Sequence, residues 1–169
     1  MRSAALAVEL ANANLDSAGD LGRWLEGAGG WGEGAGEEMA LRLPDFARLR
    51  EAVRDLFEAS IGGGPLPAAA VERLNDASSR VPRVLRLDPS ALVAVEEPIP
   101  GSATATALAS VARSAIETLG GSDRERLRRC PACGRYFLAS RGDRRWCSAA
   151  CGNRARVARH YAKRLGLGP

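Results

Sequence analysis

The sequence predicts a mainly α-helical protein. A helical N-terminal domain with one β-hairpin is expected over residues 1–121, followed by a small C-terminal module over residues 122–169. Apolar residues recur at helical spacing in most of the first domain, and one segment switches to the two-residue period of strands. All four cysteines lie in the last 40 residues, in pairs typical of a metal module. With 169 residues and 46% apolar content, the chain can bury one main core and a small appendage.

The helices of the first domain follow from apolar periodicity and from start and stop signals. Two helices are expected over residues 3–14 and 20–28. The clearest helix begins at Pro44 and ends at the Gly-Gly-Gly-Pro run of residues 62–65, and the next begins at Pro67. The inward stripe of the clearest helix is Phe46, Leu49, Val53, Leu56 and Phe57.

The pattern then changes to a β-hairpin. Residues 83–87 and 91–95 have strand-like composition and flank the turn sequence Asp-Pro-Ser. An alanine-rich helix is expected over residues 102–119. Its predicted inward residues are Leu108, Val111, Ala115, Ile116 and Leu119.

Two glycine-rich segments mark connections. Residues 27–36 contain six glycines, but no strand precedes them and no Gly-Lys-Ser/Thr follows, so a flexible loop is expected and not a phosphate-binding loop. Gly120 and Gly121 mark the domain boundary. Ser122 and Glu125 then form a capping-box pattern that opens a short helix.

The cysteine spacing indicates a metal site. Two residues separate Cys130 from Cys133, three separate Cys147 from Cys151, and thirteen lie between the pairs. Each short loop lets two thiolates reach one ion, so the four cysteines are the predicted ligands of one structural zinc ion. Two disulfides, an iron–sulfur cluster and a redox dithiol are the alternatives. Disulfides require an oxidising compartment, which nothing else in the sequence indicates.

The order of parts around the cysteines predicts a treble-clef-like module that ends in a basic helix. Residues 130–134 form a knuckle, residues 135–138 and 143–146 are expected to pair as a hairpin, and residues 148–165 form the final helix. Tyr136 and Trp146 are expected to form the small core of the module.

Charge is divided between the two parts of the chain. Residues 1–121 contain 11 arginines and 17 acidic residues, a net charge of −6. Residues 122–169 contain 13 basic and three acidic residues, a net charge of +10, which four thiolates and one Zn²⁺ reduce to about +8. This asymmetry indicates a polyanionic partner for the C-terminal module.

The final helix is predicted to have a packing face of small residues and a broad cationic face suited to phosphates. The packing face consists of Ala155, Ala158, Ala162 and Leu165. The candidate nucleic-acid-binding residues are Arg144, Arg145, Asn153, Arg154, Arg156, Arg159 and Lys163. For Asn153 and Arg154, bracing the zinc module and contacting DNA are weighed equally. The arginines expected beside the zinc ligands are Arg129, Arg135 and Arg145.

The motif WCSxxCGNR at residues 146–154, preceded by LRRCPxCG at residues 127–134, resembles the CGNR zinc finger. In that family the finger follows a mainly helical domain called ABATE, associated with stress-induced transcription regulation. The N-terminal part is also similar to that domain. LAVELAN at residues 6–12 resembles its opening L-x-L-D-F-x-N, with Glu9 for Asp and Leu10 for Phe, and LREAVR at residues 49–54 resembles its L-R-E-A-L-R.

The resemblance implies zinc binding by the four cysteines, DNA binding by the finger, and a first domain that senses a ligand or stress signal. Glu9 and Asn12, in the opening motif, are the candidates for a polar site that binds a small-molecule effector. One finger has a small footprint on DNA, so useful specificity requires a homodimer or a second contact surface.

These observations favour a DNA-binding transcription regulator. The alternative is a zinc-finger adaptor that docks on an acidic protein surface, or an RNA binder. An enzyme is not expected, because no catalytic constellation is visible and the single histidine, His160, lies on the basic helix. A redox switch that expels zinc is chemically conceivable. No secretory signal or membrane-spanning stretch is visible, so a cytoplasmic protein with no membrane partner is expected.

Overall fold

The computed structural model describes the backbone of residues 3–28 and 35–165, with side chains for residues 5–28, 38–162 and 164–165. The helical N-terminal part contains α1 Ser3–Asn12, α2 Ala18–Ala28, α3 Ala35–Ala40, α4 Leu43–Gly62, α5 Ala68–Ser79, strands β1 Arg83–Asp88 and β2 Val93–Pro98, and α6 Ala103–Gly120. A 3₁₀ turn, Ser122–Arg126, leads into β3 Leu127–Arg129, β4 Tyr136–Leu138 and α7 Ala149–Arg164. The predicted mainly α fold, with one hairpin in the first domain and a terminal helix, is confirmed. Within the described residues, no helix is both long and apolar enough to cross a membrane.

The main core lies between α1, α4, α5 and α6. The predicted stripe of α4 is confirmed, since Phe46, Val53 and Phe57 are fully buried and Leu49 and Leu56 nearly so. Alanines on α6 let α1 approach closely, and the Ala7 backbone N–H donates a hydrogen bond to Ser114 Oγ at 2.9 Å. These contacts hold α1 in place. The C-terminal end of α1, at Asn12, lies beside the zinc module.

Helix α6 begins where the sequence predicted, but not every residue of its predicted inward face is buried. Ser102 caps it by accepting a hydrogen bond from Ala105 N at 3.2 Å. Leu108, Val111 and Ala115 are buried, whereas Ile116 is 37% exposed and lines a shallow groove at the base of the β-hairpin. Ile116 lies about 100° from Ala115 around the helix, on the solvent side, whereas Ser114 on the other side of Ala115 is fully buried.

The glycine-rich segment is only partly described. Residues 29–34 of the predicted loop lie outside the described residues. Helix α3, which begins at Ala35, was not predicted from the sequence, because six residues carry too little periodicity to indicate a helix.

The first hairpin forms with a shifted second strand. Strand β1 pairs with β2 in antiparallel register from Arg83 opposite Pro98 to Asp88 opposite Val93. Asp88 Oδ1 accepts hydrogen bonds from the backbone N–H of Ser90 at 2.8 Å and from its hydroxyl at 2.6 Å. The turn between the strands has four residues and includes Leu92 at a left-handed φ of 53°, so β2 begins two residues later than predicted.

The second hairpin differs from the prediction. Strand β4 pairs with β3, with Leu127 opposite Leu138, and not with residues 143–146. Residues 141–144 instead form a turn closed by a hydrogen bond from Arg144 N to Arg141 O at 3.1 Å. The capping-box prediction is also wrong in detail, since residues 122–126 form a 3₁₀ turn without a side-chain cap.

The C-terminal module shares the core of the helical body. Leu127 and Tyr136 are buried in the main core, and the rings of Tyr136 and Phe57 pack edge-to-face at a centroid distance of 5.5 Å. The sequence predicted that Tyr136 belongs to a separate small core of the module, and this prediction is wrong. Trp146 does pack on the small cluster formed by Phe137, Ala139 and the cysteines.

Replacing Gly63 with alanine should destabilise the protein by about 1 kcal/mol, because Gly63 has a left-handed φ of 69° at the end of α4. Gly62→Ala is the matched control, since a Cβ there lies in open space and the residue is helical. Thermal unfolding of the zinc-loaded variants measures the difference. Equal midpoints for the two variants would contradict this role of Gly63.

Candidate metal centre and nucleic-acid interface

The four cysteines converge on one point. Their Sγ atoms all lie within 4.8 Å of one another, with 3.5 Å between Cys133 and Cys147 and 3.6 Å between Cys147 and Cys151. None of the four forms a disulfide, which would require a sulfur–sulfur distance of about 2.05 Å. A tetrahedral zinc ion with Zn–S bonds of about 2.3 Å needs sulfurs roughly 3.8 Å apart. This donor set fits one zinc ion, whereas an iron–sulfur cluster places several irons and sulfides between its cysteines.

The first ligand pair lies on the knuckle between β3 and β4. Cys130 N donates to Arg135 O at 2.8 Å, and Gly134 N donates to Cys130 O at 2.8 Å, which closes the loop. Gly134 has φ of 72°, a conformation that favours glycine. The β3–β4 hairpin thus presents Cys130 and Cys133 from one tight turn.

The second ligand pair lies at the start of α7. Ser148 Oγ accepts a hydrogen bond from Cys151 N at 3.2 Å and caps the first turn of the helix. The Ser148 hydroxyl, and then the Arg154 guanidinium, lower the pKa of the Cys151 thiol to about 6. This favours the thiolate that zinc requires at this position.

The environment of Cys147 has the opposite effect. Burial and the neighbouring cysteines raise the pKa of the Cys147 thiol to about 12. Four thiolates this close together repel one another, and a divalent cation supplies the compensating charge. The chain therefore holds one structural zinc ion through four protein ligands, which leaves no coordination position for a catalytic water.

Arg154 braces this centre. Its Nη2 donates a hydrogen bond to Cys151 Sγ at 3.0 Å, as groups beside metal ligands commonly do. The arginines expected in this role from the sequence are placed differently. Arg129 contacts Glu58 at 3.1 Å, Arg145 lies over the Trp146 ring, and Arg135 lines a groove.

Arg144 also braces the module. Its guanidinium donates to the carbonyls of Trp146 and Cys147 at 3.0 and 2.5 Å and lies over the Phe137 ring. These contacts stabilise the turn that leads into the second ligand pair. Residues 143–146 form no strand.

The remaining candidate nucleic-acid residues lie on an exposed helix. Asn153 Oδ1 accepts a hydrogen bond from Arg156 Nη1 at 2.8 Å, and Arg156 and Arg159 are exposed. The Lys163 side chain lies outside the described residues. Arg145 is exposed on the turn before the helix. The structure thus places a row of cationic side chains on α7.

In the described part of the chain, helix α7 is anchored at its first turn. Among its described side chains, only Cys151 is buried, and Val157 and Tyr161 are 53% and 59% exposed. The predicted packing face of small residues is therefore wrong, since Ala158 and Leu165 are exposed and Ala155 and Ala162 only partly buried. The zinc centre holds one end of the helix, and the rest projects from the body.

Asn12 has a structural role that the sequence did not reveal. Its Nδ2 donates to Tyr136 O and its Oδ1 accepts from Tyr136 N, both at 2.8 Å. The Asn12 side chain thereby provides hydrogen-bond partners for the backbone N–H and C=O of Tyr136 in β4, as a neighbouring strand would. No local pattern around residue 12 indicates this contact, because its partner lies 124 residues away.

A second contact joins the same two parts. Tyr136 Oη donates to Glu58 Oε1 at 2.6 Å, and Arg129 pairs with the same carboxylate oxygen. Burial and the hydrogen bond to Glu58 raise the pKa of Tyr136, so it remains a neutral donor. The zinc module is therefore docked by a buried ring, a side-chain amide and a carboxylate.

The candidate effector residues line a groove between α1 and the zinc module. The groove has a volume of about 590 Å³ and includes Val8, the exposed Glu9, Phe137 and Arg154. Asn12 also lines it, but the polar atoms of its side chain are bonded to Tyr136. Of the two predicted residues, Glu9 presents its carboxylate to solvent.

Two family models match the chain. The ABATE model, described as "Putative stress-induced transcription regulator", matches residues 4–122, and the CGNR zinc finger model matches residues 126–164. A search of curated proteins found no match.

Asn12→Asp should lower the stability of the zinc-loaded protein by about 2 kcal/mol, because a carboxylate oxygen replaces the N–H that faces Tyr136 O. Hydrogen exchange at the Tyr136 amide, which bonds to Asn12, should accelerate in parallel. The control is Asn14→Asp, the same change at an exposed position. The role of Asn12 is refuted if both variants unfold at the same temperature.

Arg154→Gln should accelerate zinc transfer to a chelator about 10-fold, because the hydrogen bond to Cys151 Sγ is weakened. Arg156→Gln removes the same charge two residues away and should leave the rate unchanged. A colorimetric chelator assay at fixed pH measures both rates. Similar rates for the two variants would show that Arg154 does not brace the centre.

Proposed function

We propose that this chain, which belongs to the ABATE family and carries a C-terminal CGNR zinc finger, is a transcription regulator that binds DNA through the finger. The observation that carries the proposal is the projecting, cationic helix α7, held at one end by the zinc centre. A helix of 16 residues is about 24 Å long and fits the major groove of B-DNA.

The exposed face of α7 suits contact with phosphates. Arg156 and Arg159 are exposed on it, and Arg145 is exposed on the turn before it. In the sequence, Lys163 follows Arg156 and Arg159 at helical spacing. Cationic side chains placed in this way neutralise backbone phosphates and fix the orientation of the helix. Arg144 and Arg154 brace the zinc module, so we assign them a contribution to the local potential and not direct DNA contacts.

Charge supports one orientation on DNA. The helical body carries a net charge of −6 over residues 1–121, and phosphates repel it. The zinc-loaded module carries about +8 and is attracted. The finger therefore faces the duplex, with the body on the outer side.

In this proposal the body regulates and does not catalyse. The zinc centre is closed, and we propose a binding protein and not an enzyme. The groove that contains Glu9 is the proposed effector site, because it touches both α1 and the cysteines that anchor α7. The cytoplasmic location expected from the sequence is part of the proposal, since thiols remain reduced there.

The direct test is selection of bound fragments from a genomic DNA pool by the zinc-loaded protein at about 150 mM salt, where weak phosphate binding is suppressed. Enrichment of a shared site is the expected result. Failure to enrich any sequence, with zinc bound, would overturn the proposal. The adaptor or RNA-binding alternative would then be tested by protein and RNA capture.

The double change Arg156→Glu and Arg159→Glu should weaken binding to the selected site and reduce the slope of log K against log salt by about 2. The matched control is Arg73→Glu with Arg80→Glu, which alters net charge equally on exposed positions of the acidic body. Fluorescence anisotropy at several salt concentrations measures both. Equal losses in the two double variants would mean that α7 makes no specific contact with DNA.

A further inference from the structure

One side of helix α7 is turned towards the rest of the protein. Cys151 is buried among the zinc ligands, and Gly152 faces Trp146, since a Cβ on that glycine would lie 3.6 Å from the indole ring. Ala155 and Ala162, which are only partly exposed, lie on the same side at about 100° per residue. We call this the covered side of the helix. A DNA duplex therefore has to approach α7 from the opposite side.

The opposite side of α7 is a line of four exposed residues, which we call the outer ridge. It consists of Asn153, Val157, His160 and Arg164. Steps of four, three and four residues keep them in line along the helix. Each lies at least about 140° around the helix from the middle of the covered side. The outer ridge is therefore the part of α7 that reaches furthest from the body.

Exposed arginines flank the outer ridge. Arg156 and Arg159 both lie between the ridge and the covered side. When a helix lies in the major groove, its outermost residues meet the base edges, and the residues beside them meet the phosphates along the walls. The arrangement of α7 thus separates the two tasks of a DNA-reading helix.

We propose that the outer ridge is the base-reading face of α7 and sets the sequence specificity of binding, with Asn153 and His160 as its uncharged hydrogen-bonding members. The inference rests on the proposed function, since it takes duplex DNA as the partner. It adds which side of the helix enters the major groove and which residues select the bases there.

The Asn153 amide is oriented for recognition of a base. Its Oδ1 accepts a hydrogen bond from Arg156 Nη1 at 2.8 Å, which holds the amide in one orientation. The oxygen keeps a second lone pair, and within the described part of the chain the NH₂ group has no hydrogen-bond partner. An amide with a free donor and a free acceptor pairs with N6 and N7 of adenine.

The other three ridge residues also have chemistry that distinguishes base pairs. The exposed His160 imidazole has two ring nitrogens for hydrogen bonds to base edges. Val157, which is 53% exposed, suits contact with the methyl group of thymine, and Arg164 suits O6 and N7 of guanine. From its first to its last residue the ridge is about 16 Å long, so it spans at most about five base pairs.

The test compares the sites that the full zinc-loaded chain and its variants Asn153→Ala and His160→Ala select from a randomised DNA pool. Neither change removes a formal charge. Each should therefore reduce base preference about 10-fold at one or two positions and leave the salt dependence of binding unchanged. The two residues lie about 10 Å apart along the helix, so the affected positions should be about three base pairs apart.

Arg159→Gln is the control on the flank of the ridge. It should weaken binding to all sequences, reduce the slope of log K against log salt by about 1, and leave the preferred site unchanged. Zinc content and the thermal midpoint show that each variant is folded. His160 lies more than two helical turns beyond Cys151, so its variant tests the ridge even if Asn153→Ala loses zinc.

The outcomes separate this inference from the proposed function. A wild-type chain that enriches no site would overturn both. A wild-type site that the ridge variants select unchanged would overturn the base-reading role and leave DNA binding intact. A loss of base preference in Arg159→Gln as large as in the ridge variants would overturn the assignment of specificity to the ridge.

Discussion

Two hydrogen bonds between the Asn12 side chain and the Tyr136 backbone join the helical body to the zinc module. The rest of the arrangement depends on this contact, because β4 is only three residues long and has a single strand partner. The Tyr136 ring lies in the main core, while the neighbouring Phe137 packs on the cysteines. Alternate side chains of one short strand thus belong to two cores. The zinc centre is held in a defined position relative to α1 for this reason.

The zinc centre in turn determines the position of α7. Cys151 is the buried residue of this helix among its described side chains, so the metal and the capping Ser148 provide its anchor. A 48-residue module cannot bury a large core, and metal binding supplies the free energy that holds its parts together. A helix anchored in this way leaves Arg156 and Arg159 exposed beyond its first turn. The groove beside α1 is lined by Cys147 and Cys151, the ligand pair at the start of the helix.

Much of the molecule follows from local patterns. The apolar stripe of α4 repeats at helical spacing over five residues that are all buried, because a stripe of that width can only face a core. The cysteine spacing likewise predicts the ligand set, since only two tight loops can bring four thiolates to one ion. Charge is additive along the chain, so the acidic body and the basic module are visible without coordinates. The family follows from the motifs around these same residues.

The sequence by itself therefore determined the α-helices other than the short α3, the zinc ligands and the division of charge, because each depends on residues close together in the chain. Tertiary structure decided which strand β4 pairs with, where the Tyr136 ring is buried, and which arginine reaches a ligand. Asn12 and Tyr136 are 124 residues apart, and no local pattern specifies such a contact. Arg154 reaches Cys151 because the first turn of α7 places the two side chains together, while Arg129 finds Glu58 across the domain contact. The exposure of α7 is also a tertiary property, since it depends on which surfaces the rest of the chain leaves uncovered.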